Sequence, residues 1–127
     1  MTSANEQAAL AISSHRFDEA IPFVADDVVW DVVGAGIVNG RDDLIEACRT
    51  LQTELIGTTV TFDRLRAIVA ADSVVVDSVA TYTDSAGDES VVASCDIYDF
   101  AGDRIVAIRS FNVELDVMID SDGQEDG

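Results

Sequence analysis

The sequence predicts a single α+β domain, and three observations support this fold class. The 127 residues are enough for one hydrophobic core and too few for two. Apolar residues recur at helical spacing in the first part of the chain, and from Thr58 onward they alternate as they do in β-strands. The alternating stretches follow one another across short turns, which is typical of antiparallel hairpins. We therefore expect three N-terminal helices packed on one face of a curved, mostly antiparallel sheet.

The first part of the chain is predicted to form two helices and a short strand. An alanine-rich stretch from Ala4 to Ser14 indicates the first helix. After a break at His15, apolar residues at helical spacing between Phe17 and Val24 indicate the second, with Asp18 as its N-cap. The β-branched and aromatic residues 28–33 predict a short strand that ends in a glycine-containing turn.

The clearest helical signal is an apolar stripe in the middle of the chain. Its members, at spacings of four, three and four, are Leu44, Cys48, Leu51 and Leu55. Acidic residues in the first turn suit the helix dipole, and a glycine follows the last turn. We predict that this stripe packs against the sheet.

Four long strands and an acidic tail complete the predicted domain. The strands are expected at Thr59–Val69, Val74–Thr83, Val91–Phe100 and Arg104–Leu115. The breaks between them are rich in Asp, Ala and Gly, which suits hairpin turns. We place the domain at residues 1–119, and we expect the acidic residues 120–127 to be disordered.

The charge balance limits the classes of partner. Twenty-five acidic residues outnumber seven basic ones, all of them arginine, and the formal net charge is −18. Such a field repels phosphate backbones and anionic lipids, so we expect no nucleic-acid partner and no membrane partner. The composition suits a salt-rich cytoplasm and a GC-rich genome equally well. The chain start lacks the features of a signal peptide, which predicts a cytoplasmic location. One histidine and two isolated cysteines are too few for a metal site, and no cofactor is expected.

Two stretches of the sequence resemble a known protein family. Residues 24–31 read VADDVVWD and are followed by Gly40-Arg41-Asp42, and residues 95–100 read CDIYDF before residues 104–111, RIVAIRSF. They resemble the SnoaL-like and ketosteroid-isomerase-like proteins of the NTF2-like superfamily, over roughly residues 5–116. The resemblance implies a cystatin-like cone with an internal pocket. The superfamily includes isomerases, cyclases, dehydratases, epoxide hydrolases and non-enzymatic binders, so the fold alone does not decide the chemistry.

The resemblance also implies positions for acid/base chemistry. It places the general base of ketosteroid isomerases at Asp31, and it places at Asp96 a second acid that is kept protonated to stabilise an enolate. The tyrosine of the family's oxyanion hole falls near Ala8, which has no hydroxyl group. A shift of one residue along the strand would turn Trp30 toward the pocket and Asp31 away from it, and both registers stay open.

Strand alternation and this resemblance together predict the pocket wall. Besides the two aspartates, the expected ligand-binding residues are Trp30, Asp77, Ser94, Tyr98, Ile108, Ser110 and Asn112. Burial among apolar neighbours would raise the pKa of Asp96 and make it a proton donor. Alternatively, Asp96 accepts hydrogen bonds from a neighbouring strand and does no chemistry. His15 is expected to be a solvent-exposed loop residue.

The opposite face of the sheet is expected to pair two copies of the chain. The residues predicted to lie there are Val74, Val76, Ala80, Tyr82, Val91, Ala93, Cys95 and Ile97. An apolar face of this size favours burial in a homodimer. The favoured function is binding of a small apolar or cyclic carbonyl compound, with cofactor-free isomerase or cyclase activity. The alternative is a non-catalytic ligand-binding or structural protein.

Overall fold

The computed structural model describes residues 3–115, so the predicted disordered tail at 120–127 lies outside the described residues. The helices are α1 (Ala4–Ser13), α2 (Phe17–Ala20) and α3 (Arg41–Glu54). The strands are β1 (Val24–Val32), β2 (Gly36–Asn39), β3 (Thr59–Val69), β4 (Ser73–Thr83), β5 (Glu89–Ala101) and β6 (Arg104–Leu115). A 3₁₀-helix, Ile21–Phe23, joins α2 to β1. The described chain is therefore an α+β domain with a six-stranded sheet.

The strands form one sheet in the order β2-β1-β6-β5-β4-β3. Strands β3 to β6 form the antiparallel meander that the sequence predicted, and β1 and β2 form an antiparallel hairpin. The pairing of β1 with β6 is parallel. The sequence analysis missed β2, because it interpreted the glycines after β1 as a turn only. The chain instead returns along β1 and pairs Val38 with Trp30.

The second helix is shorter than the sequence predicted. It ends at Ala20, and Pro22 lies in the following 3₁₀-helix. Proline has no N–H group, and its ring clashes with the preceding turn of an α-helix, so the α-helix does not continue to Val24. The N-cap is Arg16 and makes no side-chain capping bond, so the prediction that Asp18 is the cap was wrong.

The end of α1 sets the geometry of the site described below. Ser3 caps the start of the helix and accepts a hydrogen bond from the backbone N–H of Glu6 at 3.0 Å. His15 follows the helix with a φ of +69°, the left-handed conformation that side chains other than glycine seldom adopt. His15 thus lies between the end of α1 and the start of α2.

The core lies between the helices and one face of the sheet, which we call the inner face. α1 packs on β3, β4 and β5, and α3 packs on β1. The buried residues include Phe17, Val28, Leu44, Cys48, Val76, Tyr98, Ile105 and Ile108. Of the predicted α3 stripe, Leu44 and Cys48 are buried and Leu51 packs at the edge of the core. Within residues 3–115 no helix has the length and hydropathy to cross a membrane.

The register of β4 differs from the prediction. Val74, Val76, Ser78 and Ala80 are buried against the helices, so the expectation that Val74, Val76, Ala80 and Tyr82 face outward was wrong. The neighbouring residue Val79 lies on the opposite, outer face. Valine occupies three consecutive positions from Val74 onward, so both faces of this strand are apolar and its alternation does not specify which one is buried.

Candidate functional site

A cavity of about 230 Å³ lies between the helices and the inner face of the sheet. Its lining residues are Ile12, Ser13, His15, Phe17, Trp30, Val32, Leu51, Phe62, Ser78, Ala80, Tyr82, Val92, Ser94, Asp96, Tyr98, Ser110 and Asn112. Six of the sequence-predicted site residues are therefore brought together: Trp30, Ser94, Asp96, Tyr98, Ser110 and Asn112. Ile108 is buried in the core and does not line the cavity, which corrects its predicted place there.

Asp31 and Asp77 lie on the outer face of the sheet, so the prediction that they line the cavity was wrong. Successive residues of a strand point to opposite faces, and because Trp30 lines the cavity, Asp31 points away from it. Asp31 instead borders a groove on the outer face. The Asp77 carboxylate accepts a hydrogen bond from Nη2 of Arg64 at 3.2 Å. Of the two predicted catalytic aspartates, Asp96 lies in the cavity wall and Asp31 does not.

Asp96 is the buried polar centre of the cavity, with an exposed fraction of 9%. The hydroxyl of Ser13 on α1 donates a hydrogen bond to Oδ2 of Asp96 at 2.7 Å. The Ser13 Oγ is also 2.7 Å from the hydroxyl oxygen of Tyr98. Since the only hydroxyl hydrogen of Ser13 goes to Asp96, Tyr98 donates to Ser13. The result is a relay from Tyr98 through Ser13 to the carboxyl group.

A second hydroxyl group lies beside Asp96 on β6. Ser110 is the partner of Asp96 across β5 and β6, so the two side chains share the inner face of the sheet. The Ser110 Oγ accepts a hydrogen bond from Nε1 of Trp30 at 3.0 Å. The partners on both sides are held by the fold, because Ser13 lies on α1 and Trp30 on β1. Asp96 is therefore fixed in orientation before any ligand binds.

Burial raises the pKa of Asp96 above its ordinary value. The hydroxyl groups of Ser110 and Ser13 and the charge of His15 lower this pKa, but the loss of solvation has the larger effect. Burial also raises the pKa of Tyr98 well above its ordinary value, so this phenol stays neutral. The cavity thus holds a carboxyl group that keeps its proton more readily than an exposed aspartate.

His15 lines the same cavity, and the expectation of a solvent-exposed loop residue was wrong. Its ring lies among the aromatic rings of Phe17, Phe62 and Tyr82, with centroid distances of 5.8, 5.9 and 6.1 Å. The Nε2 atom of His15 is 3.5 Å from the hydroxyl oxygen of Tyr82. Burial lowers the pKa of His15, and the charge of Asp96 raises it by a smaller amount. The imidazole is therefore favoured in its neutral form.

Sequence reasoning missed Ser13, Ser78, Tyr82 and the inward position of His15. A signal for Ser13 was present, because it follows Ala9 at a spacing of four on the buried face of α1. Ser78 and Tyr82 share the period-two face of Ala80, which the chosen register turned outward. For His15 the sequence holds no signal, since its direction depends on one left-handed backbone conformation.

Metal-binding groups are not gathered at this site. No group of three or more His, Cys, Asp or Glu side chains that could hold a metal ion occurs in residues 3–115. Cys48 lies on the buried side of α3, and burial raises the pKa of its thiol to about 11. The chemistry available in the described cavity comes from the carboxyl group of Asp96, the imidazole of His15 and the hydroxyl groups around them.

Comparison with known proteins connects this geometry to a family. A family model described as a SnoaL-like domain matches residues 5–108. No curated protein matches the sequence. An NTF2-like protein of unknown function from Cytophaga hutchinsonii is 29% identical, with a TM-score of 0.77 over 89% of this chain and 99% of that chain.

Two further solved structures share the fold at lower identity. One is an LEH-like epoxide hydrolase from M. tuberculosis, 18% identical, with a TM-score of 0.63 over 92% of this chain and 86% of that chain. The other is described as a SnoaL-like polyketide cyclase from Jannaschia sp. CCS1, 15% identical, with a TM-score of 0.68 over 94% of this chain and 90% of that chain. At these identities the likeness concerns the fold, and the NTF2-like fold implied by the sequence resemblance is confirmed.

Proposed function

This chain belongs to the SnoaL-like domain family, and we propose that its cavity binds a small, largely apolar carbonyl compound. The observation that carries the proposal is the buried carboxyl group of Asp96, which accepts a hydrogen bond from Ser13 and lies beside Ser110 in the cavity wall. The cavity volume of about 230 Å³ sets the size of the ligand. It exceeds the roughly 150 Å³ that accommodates benzene and is below the roughly 300–1,000 Å³ of drug-sized pockets. A compound of one or two rings fits this range.

Asp96 is the proposed acid. Its raised pKa favours the protonated form, in which it donates a hydrogen bond to the carbonyl oxygen of the ligand. Charge that develops on this oxygen during enolisation is then stabilised by a group already oriented by Ser13 and Ser110.

His15 is the proposed base, in the role that the sequence resemblance gave to Asp31. Burial is the largest influence on both groups, and it favours neutral Asp96 and neutral His15 over an ion pair. In an enolisation the His15 imidazole takes a proton from the carbon next to the carbonyl group. The electron pair of that C–H bond forms the enol double bond, and the carbonyl oxygen takes the proton of Asp96.

The enol then returns to product in one of two ways. If the enol is conjugated with a C=C bond, His15 returns its proton to the far carbon of the dienol, the double bonds shift, and the oxygen returns its proton to Asp96, which gives an isomer. If the enol carbon attacks a second carbonyl group of the same molecule, a C–C bond forms and the second oxygen takes the proton from His15. The first oxygen returns its proton to Asp96 and becomes a carbonyl again, as in aldol ring closure, so both side chains are restored.

A non-catalytic binding protein is the second candidate, and the position of Asp31 favours it. The two-carboxyl arrangement of ketosteroid isomerases is incomplete here, because Asp31 lies on the outer face. The helix position that resembles their oxyanion-hole tyrosine is Ala8, which is buried in the core. Such a protein would hold the same ligand class without proton transfer.

A pair of related probes tests both candidates. 2-Naphthol resembles a bound enol, and binding is measured by its fluorescence and by calorimetry. 2-Tetralone is the matching ketone, and exchange of its acidic C–H protons in D₂O is followed by NMR. We expect 2-naphthol to bind, Asp96→Asn to weaken binding about tenfold or more, and His15→Gln to abolish exchange while binding persists.

Asp31→Asn is the matched control, because it removes a carboxyl group from the outer face of the same sheet. Its affinity for 2-naphthol should stay within about twofold of the wild type. Binding without exchange above the buffer rate would favour the non-catalytic candidate. No binding by the wild type, or equal losses in the Asp31 and Asp96 variants, would overturn the proposal.

We further propose that two copies of the chain pair through the outer face of the sheet. Val79, Ala93 and Val113 are side by side across β4, β5 and β6, and the next row consists of Asp77, Cys95 and Phe111. Phe111 is 40% exposed and Val113 is 59% exposed, so the patch is open in the single chain. Ala93 and Cys95 belong to the set that the sequence analysis assigned to this face, whereas Val79, Phe111 and Val113 were not in that set. Apolar patches of this kind favour association.

A further inference from the structure

A row of polar side chains crosses the cavity floor beside Asp96. Ser78 on β4 is paired with Ser94 on β5, and Ser94 is paired with Asn112 on β6. All three line the cavity. Ser94 and Asp96 are two residues apart on one strand and face the same way, which separates them by about 7 Å. The cavity floor therefore has two polar sites, one at Asp96 and one at the row of Ser78, Ser94 and Asn112.

Ser78 is unusual within this row. It is 4% exposed, and its hydroxyl makes no hydrogen bond with any side chain or backbone group that the structure describes. A buried hydroxyl without a partner destabilises a protein, whereas alanine at the same position does not carry that cost. An unpartnered hydroxyl that faces a cavity is suited to bind a ligand that supplies the missing hydrogen bond.

Ser94 and Asn112 determine which hydrogen-bonding groups a ligand needs at this row. The hydroxyl of Ser94 donates to Oδ1 of Asn112 at 2.7 Å, which uses its only hydrogen. The amide N–H groups of Asn112 remain as donors, the Ser94 oxygen remains as an acceptor, and Ser78 can act as either. This combination suits a hydroxyl or carbonyl oxygen and offers no positive charge for an anion.

We propose that Ser78, Ser94 and Asn112 form a second polar subsite, and that the ligand carries two oxygen functions about 7 Å apart on a flat apolar body. The inference rests on the proposed function, because the first oxygen is the one bound at Asp96. The second contact fixes the direction in which the ligand lies. A compound with a single oxygen function would bind in the same cavity without this orientation.

Two isomeric naphthalenediols test this spacing. In naphthalene-2,6-diol the hydroxyl groups lie at opposite ends of the ring system, and in naphthalene-2,3-diol they are adjacent, while composition and size are the same. We expect the 2,6-isomer to bind about 3–10 times more tightly than the 2,3-isomer, which is the range for one added hydrogen bond. Ser78→Ala should remove most of this preference.

A stability measurement provides a readout independent of ligand. Ser78→Ala should unfold at the same denaturant concentration as the wild type or a higher one, because no hydrogen bond is lost. Equal affinities for the two diols, or an unchanged preference in Ser78→Ala, would overturn the second subsite. So would a clear loss of stability, since the hydroxyl would then have a structural partner. If 2-naphthol binds but the diols do not differ, only the subsite fails; if 2-naphthol does not bind, the proposed function fails as well.

Discussion

Replacement of Ser13 by alanine tests whether the relay to Asp96 organises the cavity. The substitution removes two buried hydrogen bonds of 2.7 Å, one to the Asp96 carboxyl group and one from the Tyr98 hydroxyl. It also leaves that buried hydroxyl without a partner. A hydrogen bond between neutral groups contributes roughly 0.5–1.5 kcal/mol, and an unpaired buried group costs roughly 1–3 kcal/mol. Because these effects overlap, we expect the free energy of unfolding to fall by about 2–4 kcal/mol.

The assay is denaturant unfolding of Ser13→Ala, Tyr98→Phe and the double variant. Once Ser13 is absent, removal of the unpaired Tyr98 hydroxyl should cost less than it does in the wild type, with a coupling energy of about 1–2 kcal/mol. Ser14→Ala is the matched control. The Ser14 hydroxyl donates to the Leu10 carbonyl at 2.7 Å at the end of the same helix, outside the relay. Its loss should cost less than about 1 kcal/mol.

Two results would refute this reasoning. A loss for Ser13→Ala that is no larger than that for Ser14→Ala would mean that the relay contributes little. Additive effects of the Ser13 and Tyr98 substitutions would mean that the two hydroxyls do not share a hydrogen bond.

Three further predictions concern the core, the titration of Asp96 and the outer face. Leu44→Ala should lower the free energy of unfolding by about 2–5 kcal/mol, because Leu44 is 1% exposed. Leu51→Ala, at the cavity edge, should lower it by less. A larger loss for Leu51→Ala than for Leu44→Ala in denaturant unfolding would contradict the packing of α3. Burial raises the folded-state pKa of Asp96, so the wild type loses stability as pH rises from the ordinary aspartate pKa of 3.8 through the raised value. Asp96→Asn should therefore gain thermal stability relative to the wild type across that interval, and a constant difference would argue against the raised pKa. Light scattering should give twice the chain mass for the wild type and one chain mass for Phe111→Asp. The measurement belongs near physiological salt, where the Debye length is about 8 Å and repulsion between the acidic chains is screened. A wild-type monomer would contradict the pairing of outer faces.

The sequence predicted the C-terminal meander closely because each strand there is long and bounded by clear turns. The ends of β3 and β6 match the predicted ranges, and β5 carries Asp96 and Tyr98 on the predicted face. On β4 the alternation of side chains did not predict which face is buried, because its valines make both faces apolar. A one-residue change of register then exchanged Asp77 for Ser78 at the cavity.

The site could be predicted less completely than the fold because its members meet through tertiary contacts. Ser13 and Asp96 are 83 residues apart in the chain. The direction of His15 depends on a φ of +69°, which no local pattern of this segment indicates. The resemblance pointed to Asp96, whereas it left the register of β1 open between Asp31 and Trp30, and the structure has Trp30 in the cavity wall.

The parallel pairing of β1 with β6 has a consequence for the order in which the protein is built. During synthesis β1 emerges early, yet one of its two neighbours in the finished sheet, β6, is the last strand described. The β1–β2 hairpin must wait with an open edge until residues 104–115 have left the ribosome. The meander of β3 to β6 pairs neighbours in sequence and closes with short loops, so it can assemble first and accept the hairpin afterwards. Refolding should accordingly show protection of β4 and β5 amides before those of β1, in pulse-labelled hydrogen exchange.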